Sequence, residues 1–219
     1  VTVLLKAAVD GLRVRADGVY VDCTFGRGGH SREILARLGA RGRLIAMDRD
    51  PHAVALRGEF DDERFELVHS GFSAFSRVLG ERGISAVDGI LFDLGVSSPQ
   101  LDVAERGFSY RHDAPLDMRM DRSRGLSADI VVNTYTVEQL ATIIHDHADE
   151  RFADRIARAI VAHRPVTGTA HLAEIVTNAI PAATRRRGGH PAKRTFQAIR
   201  IETNGELDAL PVALDEAIE

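Results

Sequence analysis

One stretch decides the fold of this chain: Tyr20-Val21-Asp22-Cys23-Thr24-Phe25-Gly26-Arg27-Gly28-Gly29-His30-Ser31. An apolar run ends at Asp22, a loop with three glycines follows, and residues 31–38 are amphipathic. This order predicts a strand, a tight loop and a helix. Glycines allow positive φ and a close approach of the backbone to a ligand, and the first turn of a helix offers unpaired N–H groups. An ordinary βα turn has the same composition, so the following strands must decide between the two interpretations.

The next predicted strand, residues 43–47, ends at Asp48, twenty residues after Gly28. In nucleotide-binding folds an acidic side chain at this position accepts hydrogen bonds from ribose hydroxyls. A dinucleotide fingerprint also requires a third small residue for close helix–strand packing, and counting from Gly26 that position is Ser31. This departure from the fingerprint weakens the interpretation of the chain as a nicotinamide-dependent oxidoreductase. It favours S-adenosylmethionine, which has a ribose and an amino-acid tail but no pyrophosphate.

Two further strands are predicted at residues 65–68 and 87–92, with helices between all four. This alternation predicts a parallel sheet with helices on both faces. Ligands of such sheets bind beyond the carboxyl ends of the strands. The rule places four residues at one edge: Gly28, Asp48, Phe72 and Asp93. Each alone is also explained as a turn or cap residue, but together they predict one site.

The run from Asp22 to His30 resembles the first motif of the bacterial 16S rRNA cytosine-N4 methyltransferases, the RsmH or MraW family. Two later runs are similar to the same family: Glu105-Arg106-Gly107-Phe108-Ser109-Tyr110 with the segment to Asp121, and His190-Pro191-Ala192-Lys193-Arg194-Thr195-Phe196-Gln197. The resemblance covers essentially the whole chain. It implies a Rossmann-like class I methyltransferase fold with an inserted helical domain. It also implies methyl transfer from S-adenosylmethionine to N4 of a cytidine in the decoding region of 16S rRNA.

Carried over position by position, the resemblance implies these cofactor-binding residues: Gly28, Gly29, His30, Asp48, Phe72, Asp93 and Gln100. Asp48 is expected to take the ribose hydroxyls and Phe72 to lie near the adenine or the sulfonium. Asp93 is expected to orient the amino-acid tail or the target amine. No metal is expected, because a sulfonium is already an activated leaving group.

After the fourth strand, Ser97-Ser98-Pro99-Gln100 resembles the loop with which amino-methyltransferases hold an exocyclic NH2 group. Such an amine is a poor nucleophile because its lone pair is delocalised into the ring. Hydrogen-bond acceptors and a rigid proline geometry align its nitrogen with the methyl group. The predicted catalytic residues are therefore Asp93, Ser97, Ser98 and Pro99. No aromatic residue follows the proline, so stacking on the base is expected from Phe108 or Tyr110.

Residues 104–191 form a predicted helical insert for substrate recognition, while residues 1–103 and 192–219 form the methyltransferase domain. Within the insert, helices are predicted at residues 136–146, 150–163 and 169–180. Asp113, Asp117 and Asp121 have the spacing of a carboxylate metal site. Their neighbours Arg111, Arg119 and Arg122 favour ion pairing instead.

From Arg185 to Arg200 the chain has six Lys or Arg residues and no Asp or Glu. A basic segment beside an aromatic residue suits contacts with RNA phosphates and bases. A solvated helix end has the same charge pattern. The predicted RNA-binding residues are Arg185, Arg186, Arg187, Lys193 and Arg194. A long helix over residues 196–218 is predicted to return the chain to the sheet.

Composition limits the alternatives. The chain has 219 residues, 44% of them hydrophobic, and a net charge of −4. No apolar run reaches the length of a membrane span and no signal peptide is recognisable, so we expect a cytoplasmic protein without a membrane partner. Its single cysteine, Cys23, excludes an internal disulfide and a cysteine-built metal site.

The expected partner is 16S rRNA within the small ribosomal subunit, and a homodimer is left open. The family continues with further strands after the last helix, so we expect that the sequence is part of a longer protein. Two alternatives stay open from the sequence: a nicotinamide-dependent oxidoreductase, and a non-catalytic protein that binds S-adenosylmethionine or RNA.

Overall fold

The computed structural model describes residues 2–123, 125–185 and 189–218. The chain divides into two compact units. The first contains the residues up to Ser97 together with those from Asp208 onward, and the second is Ser98–Leu207.

The first unit contains a four-stranded parallel sheet. Its strands are β1 (Val19–Asp22), β2 (Arg43–Asp48), β3 (Phe65–His69) and β4 (Gly89–Leu91), in the order β3-β2-β1-β4. Asp22, the last residue of β1, pairs with Ala46 of β2 and Leu91 of β4. The chain therefore reverses its direction of winding between β1 and β4, where ligands bind in open α/β sheets.

Helices follow in chain order: α1 (Leu5–Gly11), α2 (Gly29–Arg37), α3 (Pro51–Val54), α4 (Phe75–Gly80), α5 (Ser98–Asp102), α6 (Ala128–Thr134), α7 (Val137–Asp146), α8 (Ala153–Ala162), α9 (Thr169–Ala179), α10 (Ala182–Arg185), α11 (Lys193–Asn204) and α12 (Glu206–Ile218). Short 3-10 segments lie at Ala55–Glu59, Phe72–Ala74 and Ala104–Arg106. Among the described residues, no helix combines the length and the apolar character that crossing a bilayer requires.

Alternate side chains of the strands pack into two separate cores. Tyr20 and Leu44 join residues of α1, α2 and α3 in one core. Val21 and Ile45 join residues of α4 and α12 in the other. Successive side chains of a strand point to opposite faces, so each core covers one face of the sheet. The predicted parallel sheet with helices on both faces is confirmed.

The predicted single helix over residues 196–218 is wrong. Gly205 has φ 58°, a left-handed conformation, and its N–H donates to the carbonyl oxygen of Glu202 at 3.2 Å. This conformation ends α11, and α12 begins at the next residue. α1 was not predicted as a helix, and the helical segment between β2 and β3 is α3 followed by a 3-10 segment.

The second unit consists of helices and irregular chain, with no strand among its described residues. The three helices predicted here from periodicity are α7, α8 and α9. The hydroxyl of Thr136 accepts from Gln139 N, and the Gln139 side chain accepts from Thr136 N, which forms a capping box at α7. α8 begins later than predicted, because Asp149 is left-handed and the Glu150 carboxylate instead accepts from Phe152 N at 3.0 Å.

The boundary of the second unit lies at Ser98 and Leu207, whereas the sequence placed the insert at residues 104–191. The difference arises mainly from α11, which packs against α6 and α7. The role of the insert in substrate recognition stays a prediction. Within this unit Asp117 lies 2.8 Å from Nε of Arg119 and 3.3 Å from Nε of Arg122, as the ion-pair interpretation predicts.

Asn204 joins α11 to the irregular segment of the second unit. Its buried side chain accepts from Met120 N at 2.8 Å and donates to Met118 O at 2.8 Å. We expect Asn204→Ala to lower the free energy of unfolding by about 2 kcal/mol, because both backbone groups lose a buried partner. Urea denaturation measures the change. The exposed Asn178 is the control, and an equal effect of Asn178→Ala would contradict this role.

Candidate functional site

Three hydrogen bonds fix the glycine loop to the carboxyl ends of the neighbouring strands. Phe25 N donates to Met47 O at 2.9 Å, and Gly26 N donates to Oδ2 of Asp48 at 2.7 Å. On the other side, Asp93 N donates to Oγ1 of Thr24 at 2.7 Å. The loop after β1 is thus held between the ends of β2 and β4. The structure brings the predicted residues of the first unit to one edge of the sheet.

Gly28 and Gly29 leave no room for a side chain. Gly28 has φ 71°, and a Cβ there would lie 2.4 Å from Cζ of Phe60. A Cβ on Gly29 would lie 1.9 Å from Oγ1 of Thr2. These two residues begin α2, with Gly28 as its N-cap. The absence of side chains at these two positions is therefore required by tight packing of the loop against Phe25, Phe60 and Thr2.

His30 links the loop to Asp93. The imidazole is buried, its Nε2 lies 3.2 Å from Val3 O, and its Nδ1 lies 3.7 Å from Oδ2 of Asp93. A carbonyl can only accept, so Nε2 donates the hydrogen bond to Val3. The Asp93 side chain is 44% exposed and is therefore accessible to a ligand.

Both carboxylate oxygens of Asp48 already accept backbone hydrogen bonds. Oδ2 accepts from Gly26 N at 2.7 Å and Oδ1 from Asp50 N at 2.8 Å. Burial raises the pKa of Asp48 to about 6, although these hydrogen bonds act in the opposite direction. Each carboxylate oxygen has a second lone pair, so Asp48 can fix the loop and still accept from ribose hydroxyls.

This raised pKa predicts a pH-dependent stability. From about pH 4 to pH 6 the folded protein holds a proton on Asp48 that the unfolded chain has lost, so rising pH lowers the free energy of unfolding. We expect the wild type to lose up to about 3 kcal/mol more than Asp48→Asn between pH 4 and pH 7. Urea denaturation at several pH values measures the difference. Parallel curves for the two proteins would contradict the raised pKa.

Asp22 and Ser31 are functional candidates that the sequence analysis missed. The Asp22 carboxyl is fully buried, accepts from Oγ of Ser31 at 2.6 Å, and accepts from Thr24 N at 3.2 Å. Burial raises its pKa despite these hydrogen bonds. Ser31 is the position that departs from the dinucleotide fingerprint, and the structure gives the reason: its hydroxyl binds the carboxyl at the end of β1. The acidic residue directly before the loop was the available signal.

Phe72 and Ser97 also lie in the first unit. Phe72 begins the 3-10 segment after β3, is half-buried, and packs edge to face on Phe92 with ring centroids 6.1 Å apart. The Cβ of Ser97 lies 4.0 Å from the position that a Cβ on Gly26 would take. Ser97 is therefore beside the glycine loop, as the predicted site requires.

The other predicted catalytic and cofactor residues, Ser98, Pro99 and Gln100, begin the second unit as part of α5. Gln100 is buried.

Of the two predicted stacking residues, Phe108 is also buried, with the guanidinium of Arg106 5.5 Å from its ring centroid. A buried ring offers no free face to a base, which contradicts a stacking role for Phe108. Tyr110 is half-buried.

The predicted RNA-binding residues differ in their environments. Arg186 and Arg187 lie outside the described residues. The Arg185 guanidinium donates to two backbone carbonyls, Ile180 O at 2.7 Å and Asn178 O at 3.1 Å. Lys193 and Arg194 are exposed in the first turn of α11. The described basic residues therefore lie around the start of α11.

The residues of the first unit fit S-adenosylmethionine. Gly28 and Gly29 supply bare backbone at the start of α2, where a Cβ would not fit. The ribose calls for an acceptor at the end of β2, which is Asp48. A cationic sulfonium and ammonium favour nearby carboxylates, which Asp48 and Asp93 supply. Among the described residues no group of three or more His, Cys, Asp or Glu side chains could hold a metal ion.

Comparison with known proteins places the chain among rRNA methyltransferases. The MraW methylase family matches residues 1–219. A ribosomal RNA small subunit methyltransferase H from Janthinobacterium sp. (strain Marseille) is 54% identical over 222 residues, 99% of this chain and 68% of that protein. The protein of the same name from Methylobacillus flagellatus is 52% identical over 222 residues, 100% of this chain and 68% of that protein.

A solved structure of a protein from Clostridium thermocellum superposes on 44% of this chain, which corresponds to 54% of that protein's chain. The TM-score is 0.38 and the sequence identity is 21%, so this similarity does not contribute to the assignment. The family match and both relatives, in contrast, extend over essentially the entire sequence. The chain therefore belongs to the MraW methylase family.

Proposed function

We propose that this protein transfers a methyl group from S-adenosylmethionine to the exocyclic N4 of a cytidine in the decoding region of 16S rRNA. Membership of the methylase family and the names of the two relatives support the reaction and the substrate RNA. The structural observation that carries the proposal is the edge of the sheet, where Asp48, Asp93, His30 and the glycine loop meet. A cytoplasmic location is part of the proposal, because small ribosomal subunits are there.

S-adenosylmethionine supplies a methyl group on a sulfonium, so the sulfur leaves with the bonding electron pair when the methyl group is transferred. The protein therefore has to bind and align rather than activate a leaving group. Gly28 and Gly29 present backbone to the cofactor, and Asp48 accepts hydrogen bonds from the ribose hydroxyls. Phe72, at the end of β3, lies beside the adenine or the sulfonium.

We assign to Asp93 the role of binding the target amine. Its carboxylate is exposed, and the backbone contact with Thr24 fixes its position at the end of β4. Accepting a hydrogen bond from the cytosine NH2 turns the nitrogen towards the methyl group and draws electron density onto it. Nδ1 of buried His30 lies 3.7 Å from Oδ2 of Asp93. Ser97, Ser98, Pro99 and Gln100 stay predicted contacts of the amine and the cofactor.

The basic residues Arg185, Arg186, Arg187, Lys193 and Arg194 are proposed to contact the RNA backbone. The chain as a whole carries a net charge of −4, so attraction to RNA has to come from a local cluster. A base that is modified at an amine must leave its stack, so the target cytidine is an exposed or extruded nucleotide.

Label transfer tests the proposal. The protein is incubated with methyl-labelled S-adenosylmethionine and small ribosomal subunits that lack the modification, and radioactivity in the RNA is counted. Large ribosomal subunits serve as the control substrate. We expect label only in the small-subunit RNA. Binding of S-adenosylmethionine without transfer would instead favour a non-catalytic binder, and binding of a nicotinamide cofactor alone would favour the oxidoreductase.

A further inference from the structure

The second unit contains a cleft of its own. Its volume is about 580 Å³, and all of its lining residues belong to the second unit. Its described lining residues come from three segments of the chain, 149–152, 180–185 and 189–194. A cleft of this size is in the range of small-ligand pockets, ~300–1,000 Å³, so it admits one or two nucleotides and excludes a duplex.

An aromatic stack stands at the edge of this cleft. The rings of Tyr110 and His190 are 15° from parallel, with centroids 4.2 Å apart, and Tyr110 also packs edge to face on Phe196. His190 lines the cleft and is exposed. Tyr110 supports one face of the imidazole, which leaves the ring as a platform on which a nucleobase can stack.

The charge around the cleft suits phosphate. Four cationic side chains line it, Arg151, Arg185, Lys193 and Arg194, against the two carboxylates of Asp149 and Glu150. One of these two carboxylates already has a hydrogen-bond donor, because buried Glu150 accepts from the backbone N–H of Phe152.

The cations are not neutralised by these acids. Arg194 donates to the backbone carbonyl of Asp149 at 2.5 Å, and Arg185 likewise donates to carbonyl oxygens, which leaves both charges intact. The backbone N–H of Lys193 donates to His190 O at 2.9 Å, but its ammonium group makes no ion pair or hydrogen bond within the described part of the chain. An aromatic platform next to cationic side chains whose charge no carboxylate neutralises is the combination that binds single-stranded nucleic acid.

We propose that this cleft, which we call the α11 cleft, binds a single-stranded nucleotide of the substrate RNA other than the cytidine that is methylated. The base stacks on His190, and Lys193 and Arg194 contact the phosphates. This inference rests on the proposed function, since it assumes an RNA substrate. It adds His190 and Tyr110 to the residues that determine which RNA is recognised.

Substitutions at His190 separate stacking from a structural role. Nδ1 of His190 accepts from Ala192 N at 3.2 Å, so the ring also holds the backbone that directly precedes α11. His190→Asn keeps an acceptor but removes the aromatic face, and His190→Phe does the reverse. His171 is the matched control, because its Nδ1 accepts from Thr167 N at 3.3 Å away from this cleft.

Lys193 offers an equally direct test of phosphate contact. The chain has only two lysines, and the other, Lys6, is exposed in α1 of the first unit. Losing one phosphate contact reduces the slope of log Kd against log salt by about 0.7 for single-stranded RNA. Lys6→Gln is therefore a charge-matched control for Lys193→Gln.

The probe is the small ribosomal subunit that lacks the modification, and its Kd is measured by filter binding at several salt concentrations. We expect His190→Asn to raise the Kd about tenfold without changing the salt slope, while His190→Phe stays within about twofold of the wild type. Lys193→Gln should lower the slope, and His171→Asn and Lys6→Gln should behave like the wild type. Equal losses in both His190 variants, or unchanged binding in His190→Asn and Lys193→Gln, would overturn the proposal.

Methyl transfer measured on the same preparations distinguishes this inference from the proposed function. If the wild type transfers methyl and the His190 and Lys193 variants bind as it does, only the α11 cleft is wrong. If the variants change binding as expected but the wild type transfers no methyl, the cleft is supported and the proposed reaction is wrong.

Discussion

Asp93→Ala is expected to lower kcat for methyl transfer about 100-fold or more, with the Kd for S-adenosylmethionine changed by less than about threefold. The carboxylate of Asp93 is exposed and lies next to His30, while its backbone N–H is held by Thr24. If Asp93 aligns the target amine, its loss affects the step in which the methyl group is transferred, where one positioned polar group contributes ~10²–10³ in rate. Single-turnover kinetics and cofactor titration measure the two quantities separately.

Asp61→Ala is the control for this experiment, because Asp61 is an exposed acid of the same unit outside the predicted site. It should leave both quantities unchanged. The opposite pattern for Asp93→Ala, a Kd raised about 100-fold with kcat preserved, would mean that this carboxylate binds the amino-acid tail of the cofactor. That result would contradict the assignment of Asp93 to the amine.

Gly28→Ala is expected to destabilise the protein by about 2–5 kcal/mol. Its φ of 71° is left-handed, which costs an alanine roughly 1–2 kcal/mol. The added Cβ would also lie 2.4 Å from Phe60 and 2.7 Å from Phe25, and overpacking of this kind costs about 1–3 kcal/mol more. Urea denaturation measures the free energy of unfolding.

Two other glycines separate these causes. Gly26 has φ 56°, but its Cβ position has only ordinary van der Waals contacts at 3.9 Å or more, so Gly26→Ala should lose only the conformational part. Gly58 has neither a positive φ nor a close neighbour, and Gly58→Ala should be neutral or slightly stabilising. Equal destabilisation by Gly28→Ala and Gly26→Ala would show that contact with the phenylalanines is unimportant.

The parts of the fold that follow from local patterns were predictable from the sequence. Apolar runs followed by Asp22 and Asp48 identified β1 and β2, because buried parallel strands are apolar and end at polar loops. The start of α3 also has a local signal, Asp50 before Pro51, and Oδ1 of Asp50 accepts from His52 N at 3.0 Å. Such signals involve residues within a few positions of one another.

The division between α11 and α12 was not predictable in this way. A glycine within a helix lowers the stability of the helix by only about 1 kcal/mol relative to alanine, so Gly205 was a weak indication of a helix break. The break is favoured by packing, since α11 lies in the second unit and most of α12 in the first. Contacts between segments far apart in sequence determined the outcome.

The same limit applies to the site. Asp48 was expected at the strand end, but its hydrogen bond to Gly26 N joins residues 22 positions apart, and no local pattern indicates it. The stack of Tyr110 on His190 brings together residues 80 positions apart and was likewise invisible in the sequence. Residue types at the predicted strand ends indicate which residues lie close together. The hydrogen bonds and ring stacks between those residues are seen only in the structure.

At the edge of the sheet in the first unit, we propose, the methyl group is transferred from S-adenosylmethionine to a cytosine amine. The most direct test incubates the protein with trideuteromethyl S-adenosylmethionine and small ribosomal subunits lacking the modification, followed by mass analysis of nucleosides from the 16S rRNA. We predict trideuterated N4-methylcytidine with the wild type and almost none with Asp93→Ala. Label in a different nucleoside or at another atom of cytidine, or no label although S-adenosylmethionine binds, would contradict the claim.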